Sequence, residues 1–407
     1  KQKKTQVSII FYRIPGLDAN TNVTLHARTR LTKKCFYESY SQYQVPASGI
    51  LDLEKEPSIG GSYIGVEPMG FLWSMEGKAD REEDIVRLFH RDVTVPQNID
   101  LKAYAGLWDR EPRNKLAAET TIQRMYMAPG VRRIDVRENG LVATLFLPKG
   151  NKPFPGVITI FGGYPGLLEY KAALLASNGF AALGLAYYGT DGLPKKLTHT
   201  LDLEYFENAV KFMTSHEYVS GAVGIVAICR GGSIALAMAA CLKDIRCVVA
   251  VNNGLLNFMS DIKYKNELWP AFPLNLVPQK ELELRKYFKI PPGEKIENTP
   301  SFFPFHTRKD ISYLFIGGMD DKCIPTEMYL EETQRLLKIA GHGDYVITRY
   351  PKAGHLLEPP YAVHTLSSFQ PGHPFNFTLA WGGHKEEHCK AQEEWWIEQL
   401  KFLRSKL

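Results

Sequence analysis

The stretch that leaves this chain the fewest options is Val223-Gly224-Ile225-Val226-Ala227-Ile228-Cys229-Arg230-Gly231-Gly232-Ser233. Its β-branched apolar run reads as a buried strand. The run Ile234 to Leu242, rich in Ala, Leu and Met, reads as a helix. A strand that turns into a helix at one reactive residue, with small residues two positions before and two after, is a nucleophile elbow. Ala227 and Gly231 are the small residues, and Cys229 stands where serine is usual. Such a turn holds its side chain on strained backbone at a helix N-terminus, where the helix dipole favours a thiolate. Cysteine is also a common packing residue, so the assignment depends on a base and an acid elsewhere.

Both follow at the expected places. Tyr313-Leu314-Phe315-Ile316 reads as a strand running into Gly317-Gly318-Met319-Asp320-Asp321. Tyr345 to Tyr350 reads as the last strand, followed by Pro351-Lys352-Ala353-Gly354-His355. Nucleophile, acid, histidine is the chain order of the α/β-hydrolase fold, and all three residues lie past strand C-termini, where open α/β sheets place their sites. His355 is the expected base toward Cys229, and an aspartate would fix its tautomer. Asp321 is preferred over Asp320 because Asp-x-x-Ile-Pro is the usual rhythm after this strand. An oxyanion needs two backbone donors. One is expected from Arg230 and the other from Gly162 or Gly163, after the strand Val157 to Phe161. Plain turn chemistry explains these glycines equally well.

The rest of the chain frames this constellation. Residues 1–128 carry short alternating segments, among them Thr5 to Tyr12, Asn22 to Arg28 and Cys35 to Tyr40, broken by Pro15-Gly16, Pro46 to Gly49 and Gly60-Gly61. That spacing implies a β-sandwich. Pro129-Gly130 and the charged Arg132 to Gly140 read as a crossover between domains. From Leu141 onward strands alternate with helices, which implies βαβ units and a parallel sheet over 129–407. The helices are expected at Leu167 to Asn178, Leu201 to Ser215 and Ala391 to Leu403. Residues 255–310, rich in aromatics and proline, form either part of an acyl pocket or lid, or a surface excursion held by its own aromatics.

Composition excludes several classes. A charge of +5 over 407 residues with no basic stripe argues against nucleic acid. No apolar run is long enough for a membrane span. The six cysteines (Cys35, Cys229, Cys241, Cys247, Cys323, Cys389) are scattered and read as reduced intracellular thiols. His384-Lys385-Glu386-Glu387-His388 fits an H-x-x-E-H metal helix, but with no obvious third ligand it reads as a charged helix start, and no metal is expected. Ser405-Lys406-Leu407 is the address that a peroxisomal import receptor reads at a free C-terminus. The expected compartment is the peroxisome, with the cytoplasm as the alternative.

Several segments carry a resemblance: Gly49 to Lys55 with Gly60-Gly61-Ser62-Tyr63, Glu67-Pro68-Met69-Gly70, Gly166 to Tyr170, Leu185 to Tyr188, Leu203 to Phe206, Gly354 to Tyr361 and Trp381-Gly382-Gly383. With these the chain resembles the bile acid-CoA:amino acid N-acyltransferase and acyl-CoA thioesterase family of animals. The resemblance implies an all-β immunoglobulin-like sandwich followed by an α/β-hydrolase catalytic domain. It places the family's triad on Cys229, Asp321 and His355. It implies an acyl-CoA substrate, a glycine or taurine acceptor for members with cysteine at the elbow, hydrolysis for members with serine, and no metal or prosthetic group. Arg230 departs from the residues usual in relatives. Its side chain either attracts an anionic group or is a solvent-facing charge, the latter slightly favoured. The expected activity is amino acid N-acylation from acyl-CoA, with thioester hydrolysis as the alternative and a catalytically silent binding protein as the second.

Overall fold

Long β-branched runs with no polar alternation predict strands buried on both faces, and the computed structural model gathers them into one sheet. It describes residues 3–5, 8, 12–81, 84–108, 115–370 and 376–407. Contacts divide the chain into two units, residues 1–128 with Glu358–Ser368, and Pro129–Leu357 with Phe369–Leu407. The second unit is therefore interrupted once, after the loop that carries His355. The inserted segment is tied into the first unit by Arg87, which donates to Glu358 at 2.7 Å, and by Arg124, which lies 5.5 Å from the Tyr361 ring centroid.

In the first unit a seven-stranded sheet orders Lys3–Thr5, Leu116–Met125, Gln97–Ala105, Asn22–Arg30, Phe36–Gln44 and Gly60–Gly61, with Glu76–Lys78 also on Phe36–Gln44. Burial alternates along Phe36–Gln44 and Gln97–Ala105, so one face is covered. A second, two-stranded sheet of this unit pairs Arg13–Ile14 with Leu51–Asp52. The strand expected over Thr5 to Tyr12 falls largely outside the described residues.

The second unit contains an eight-stranded sheet among its described residues. In chain order its strands are β1 (Arg132–Val136), β2 (Ala143–Leu147), β3 (Phe154–Ile160), β4 (Ala181–Leu185), β5 (Val219–Ile228), β6 (Ile245–Val251), β7 (Ser312–Gly318) and β8 (Tyr345–Tyr350). Their spatial order is β1-β2-β4-β3-β5-β6-β7-β8, with β2 antiparallel to its neighbours and β3 to β8 parallel. This is the α/β-hydrolase arrangement. The stretch read from sequence as a charged crossover contains strand β1. Four of its five residues are exposed because it is an edge strand, and its polar face hid the strand signal.

Helices α1 (Tyr170–Ser177), α2 (Leu203–Ser215), α3 (Arg230–Cys241), α4 (Thr326–Ile339) and α5 (Lys385–Lys406) pack on this sheet: α1 on β4, α2 and α3 on β5, α4 on β7, and α5 on β6 and β7. Helix α5 is longer than the sequence reading because its first turn is polar; it includes Ser405 and Lys406, and Lys406 pairs with Asp344 at 2.7 Å. No described helix is long and apolar enough to cross a membrane. Several aromatics of residues 255–310 pack beyond their own segment. Phe258 meets Phe288, Phe288 meets Tyr329 of α4, and Phe305 meets Tyr313 and Phe315 of β7, all as part of the core.

Register aligns the strand ends that matter. Ile160 pairs with Ala227, Ile228 with Val251, Val251 with Ile316 and Gly318 with Tyr350. The residues that leave these strands therefore emerge side by side. The elbow fits between them only because Gly231 lacks a side chain. A Cβ there would stand 2.5 Å from both the Ile160 and Phe161 carbonyl oxygens. Gly→Ala within a helix ordinarily stabilises by up to about 1 kcal/mol. Here the sign reverses: Gly231→Ala is expected to destabilise by about 3 kcal/mol, since backbone cannot move aside cheaply. Urea unfolding of the variant beside the native chain checks it, and a stability equal to or above native would contradict the packing.

Candidate active site

Cys229 is the single residue between β5 and α3, and its backbone is left-handed, with φ 57° and ψ −129°. A non-glycine residue pays about 1–3 kcal/mol to sit there. The neighbours leave no other course. Gly162, after β3, is so close that a Cβ on it would meet Cys229 Cβ at 2.7 Å, and one on Gly232 would meet Asn253 at 2.3 Å. The side chain stays partly open to solvent.

The acid and the imidazole are fully enclosed. Asp321 Oδ1 accepts from the backbone N–H groups of Cys323 (2.7 Å) and Ile324 (2.9 Å). Its Oδ2 accepts from Thr326 Oγ1 at 2.7 Å and pairs with His355 Nδ1 at 2.8 Å. Asp320 turns away to the Gly383 N–H and Lys322, so only Asp321 of the two faces the histidine. His355 Nε2 is buried and faces the Cys229 sulfur, and a ring nitrogen of His355 lies within 4.8 Å of the sulfurs of both Cys229 and Cys323. The Trp381 ring stacks on the imidazole, 5.5 Å between centroids and 13° off parallel.

These neighbours set the charges. The Cys323 thiol hydrogen-bonds Cys229 and, with the His355 charge and the Arg230 backbone N–H, outweighs burial; Cys229 is held well below the ordinary thiol range. Cys323 is pushed well above that range by the same bond and by burial. Burial disfavours the charged imidazole, but the Asp321 carboxylate and the Cys229 sulfur overcome it and raise His355 to about 10. Both shifts run toward a thiolate–imidazolium pair, the arrangement of a nucleophile next to a proton carrier.

Sequence reasoning missed the residues that hold this pair. Asn252, just past β6 and buried, donates through Nδ2 to the carbonyls of Gly354 (3.1 Å) and His355 (2.7 Å), while its Oδ1 accepts from the Gly318 N–H at 2.7 Å. It joins the end of the acid strand to the histidine loop. His388 Nδ1 accepts from the Gly354 N–H at 2.9 Å, which leaves Nε2 to donate to the Leu356 carbonyl at 2.9 Å. Both its nitrogens serve the histidine loop, and His384 sits at the N-cap position of α5 without a side-chain cap bond. A polar residue at a strand C-terminus, Asn252, was the available signal. Cys323, two residues past Asp321, was another.

Arg230 is a correction. The sequence reading favoured a solvent-facing charge, but the side chain is completely buried. The segment Asn257–Ser260 folds over the helix start and supplies acceptors: Asn257 Oδ1, and the Ser260 carbonyl (3.0 Å) and hydroxyl (3.3 Å). Burial lowers its guanidinium to about 10. Its backbone N–H reaches the Cys229 sulfur. Gly162 lies against Cys229, and Tyr187 Oη fixes that loop by donating to the carbonyls of Phe161 (3.0 Å) and Gly162 (2.5 Å). Gly163 stands further off, with Met259 at 3.6 Å from where its Cβ would be.

Strand order and elbow geometry make the second unit an α/β-hydrolase-type fold. The family described as "Acyl-CoA thioester hydrolase/BAAT N-terminal region" matches residues 6–138, and "BAAT / Acyl-CoA thioester hydrolase C terminal" matches residues 201–407. The chain is 37% identical over 404 residues to mouse acyl-coenzyme A thioesterase 5, across 97% of this chain and 92% of that protein. It is 38% identical over 408 residues to mouse bile acid-CoA:amino acid N-acyltransferase, across 98% and 94%. A putative dienelactone hydrolase from Klebsiella pneumoniae superposes with a TM-score of 0.42 at 16% identity, covering 67% of this chain and 98% of that one. The chain belongs to the acyl-CoA thioester hydrolase and bile acid-CoA:amino acid N-acyltransferase family, and it is an enzyme, an acyltransferase or a thioester hydrolase.

Two outcomes test the geometry. A lowered thiol stays ionised as pH falls, so Cys229 is expected to react with iodoacetamide nearly as fast at pH 6.5 as at pH 8.5. An ordinary thiol loses thiolate by roughly fiftyfold or more over that interval. Half-buried Cys241, pushed up to about 11, is the internal control and slows on going down in pH. Peptide mass spectrometry reads both sites, and a Cys229 rate that falls in step with Cys241 would refute the ion pair. Asn252→Ala strands one N–H and two carbonyls in the interior, at about 1–3 kcal/mol for each group left unpaired. It is expected to lower stability by about 3 kcal/mol and to slow Cys229 alkylation at pH 6.5, because His355 is no longer held. Unchanged alkylation in a folded variant would remove Asn252 from the positioning set.

Proposed function

We propose that this chain is an acyl-CoA:amino acid N-acyltransferase working through an acyl thioester on Cys229. The observation that carries the reading is the elbow cysteine beside an Asp321-held imidazole. In this reading the Cys229 thiolate attacks the thioester carbonyl. The oxyanion is received by backbone N–H groups of Arg230 and of Gly162 or Gly163. As the carbon–sulfur bond to CoA breaks, His355 gives its proton to the departing thiolate. The neutral imidazole then takes a proton from the attacking amine, and the amide leaves as the Cys229 thiolate and imidazolium are regenerated. Thioesters yield readily to amines and slowly to water, so an acyl group on sulfur favours glycine or taurine over hydrolysis. No step calls on a metal or prosthetic group.

The relative named bile acid-CoA:amino acid N-acyltransferase supports this choice. So does Met259, an exposed apolar side chain beside Gly163 that suits an acyl chain. The second reading is thioester hydrolysis, with water in place of the amine; the relatives named acyl-coenzyme A thioesterase favour it. At a free C-terminus Ser405-Lys406-Leu407 would be a peroxisomal address, and the import receptor would need the end of α5 unwound, because Leu407 N–H is bonded to the Leu403 carbonyl. The immunoglobulin-like sandwich stays our reading of the first unit, supported by the one-sided burial of its long strands.

Mass spectrometry of the intact protein with a panel of acyl-CoAs, with and without glycine or taurine, tests the reaction. An acyl adduct on Cys229 that disappears as an N-acyl amino acid forms is expected. An adduct that decays to free acid regardless of amine selects hydrolysis, and no adduct with any acyl-CoA overturns both readings.

A further inference from the structure

The active cluster also has a coordination chemistry that acyl transfer does not use. The sulfurs of Cys229 and Cys323 and a ring nitrogen of His355 all lie within 4.8 Å of one another. Tetrahedral zinc bonds sulfur at about 2.3 Å and imidazole nitrogen at about 2.0 Å, which sets its ligand atoms roughly 3.5–3.8 Å apart. The triangle therefore closes on such an ion with shifts of about 1 Å or less. His355 Nδ1 is committed to Asp321, and Nε2 is buried facing the Cys229 sulfur. A carboxylate on Nδ1 is the outer-shell partner of zinc-bound histidines, and Nε2 becomes a ligand atom once the imidazolium proton leaves. Asp321 is itself held by two backbone N–H groups and Thr326, so the ring is already aimed. Two sulfurs and one imidazole are soft donors that select Zn²⁺ or Cd²⁺ over Mg²⁺ and Ca²⁺. Cys229 keeps some solvent exposure, which gives a way in and a fourth corner for water. His384 and His388 do not compete, since His388 is bonded through both nitrogens.

We propose that Cys229, Cys323 and His355 form a Zn²⁺ site, and that zinc bound there reversibly silences the enzyme. Zinc bonds the sulfur that must attack and the nitrogen that must carry the proton. Binding releases two protons, one from the imidazolium and one from the Cys323 thiol, and leaves a neutral Zn(S)₂N centre with no change of oxidation state. Cys323 is what separates this site from an ordinary cysteine–histidine pair. The silencing rests on the acyl-transfer reading; the binding does not.

Cd²⁺ is titrated into the full reduced chain without chelator, and the ultraviolet sulfur-to-cadmium charge-transfer band is followed, then displaced with Zn²⁺. One ion per chain is expected, with zinc blocking alkylation of Cys229 and EDTA restoring it. Cys323→Ala and Cys323→Ser, the second keeping volume while replacing a soft donor by a hard one, are each expected to weaken binding by at least about tenfold. Thermal unfolding identifies which variant is folded, and one suffices. No band, or native affinity in a folded Cys323 variant, overturns the site. A full band with acyl-CoA turnover untouched at saturating zinc overturns the silencing while leaving the acyl-CoA reading standing. Absence of turnover without zinc is a failure of that reading, and the metal titration stands apart from it.

Discussion

The left-handed backbone at Cys229 is the constraint on which the rest of the second unit depends. It costs about 1–3 kcal/mol and persists because strand β5 and helix α3 are both buried and cannot be joined in so short a space any other way. Three glycines make the junction possible by what they lack. Gly231 lets the helix start pass under the end of β3, Gly162 makes room for the cysteine Cβ, and Gly232 makes room for Asn253. Each contact is with backbone or the base of a side chain, so none is relieved by a rotamer change. The sulfur is left pointing where the ends of β3, β6, β7 and β8 converge.

A buried ion pair is favourable only when its partners' remaining bonding capacity is met. Here the pair is built outward in layers. The Asp321 carboxylate has two N–H donors, a hydroxyl and the imidazole, which leaves its charge well satisfied. His355 is gripped through its backbone rather than its ring: its N–H donates to the Trp381 carbonyl at 2.8 Å, and its carbonyl accepts from Asn252. That leaves Nε2 to face the Cys229 sulfur.

Where a local sequence pattern and its chemistry coincide, the sequence was legible. The β-branched runs of β3, β5, β6 and β7 and the order Cys229, Asp321, His355 give the hydrolase-type sheet and the cluster directly, because fully buried parallel strands tolerate little else. Strand β1 was illegible because an exposed edge strand is written in charged residues. Arg230 was misread for a related reason. An arginine at a helix start is ordinarily solvated, and only the distant Asn257 and Ser260 make it a buried tie. Asn252 and His388 act through backbone groups far away in sequence, and such bonds leave no periodicity to read. The paired aromatics of residues 255–310 were visible, but whether they faced a ligand or the core depended on partners such as Tyr329 and Phe315 in other elements.

Cys323 ties the acid to the nucleophile through a single turn. Its backbone N–H binds Asp321, and its thiol binds Cys229. The consequence for the proposed reaction lies in its second half. Lowering a thiol's pKa weakens it as a nucleophile with a sensitivity of about 0.4–0.5, yet makes it a better leaving group. Attack on an acyl-CoA needs little help, because the CoA sulfur is itself an activated leaving group. Transfer to an amine is different, since Cys229 must then depart from the acyl carbon. A thiol donor that stabilises the departing sulfur in place lowers that second barrier. On this argument Cys323 sharpens release to the acceptor more than it sharpens acylation, and its value to the enzyme is greatest when the acceptor is a weakly nucleophilic amino group.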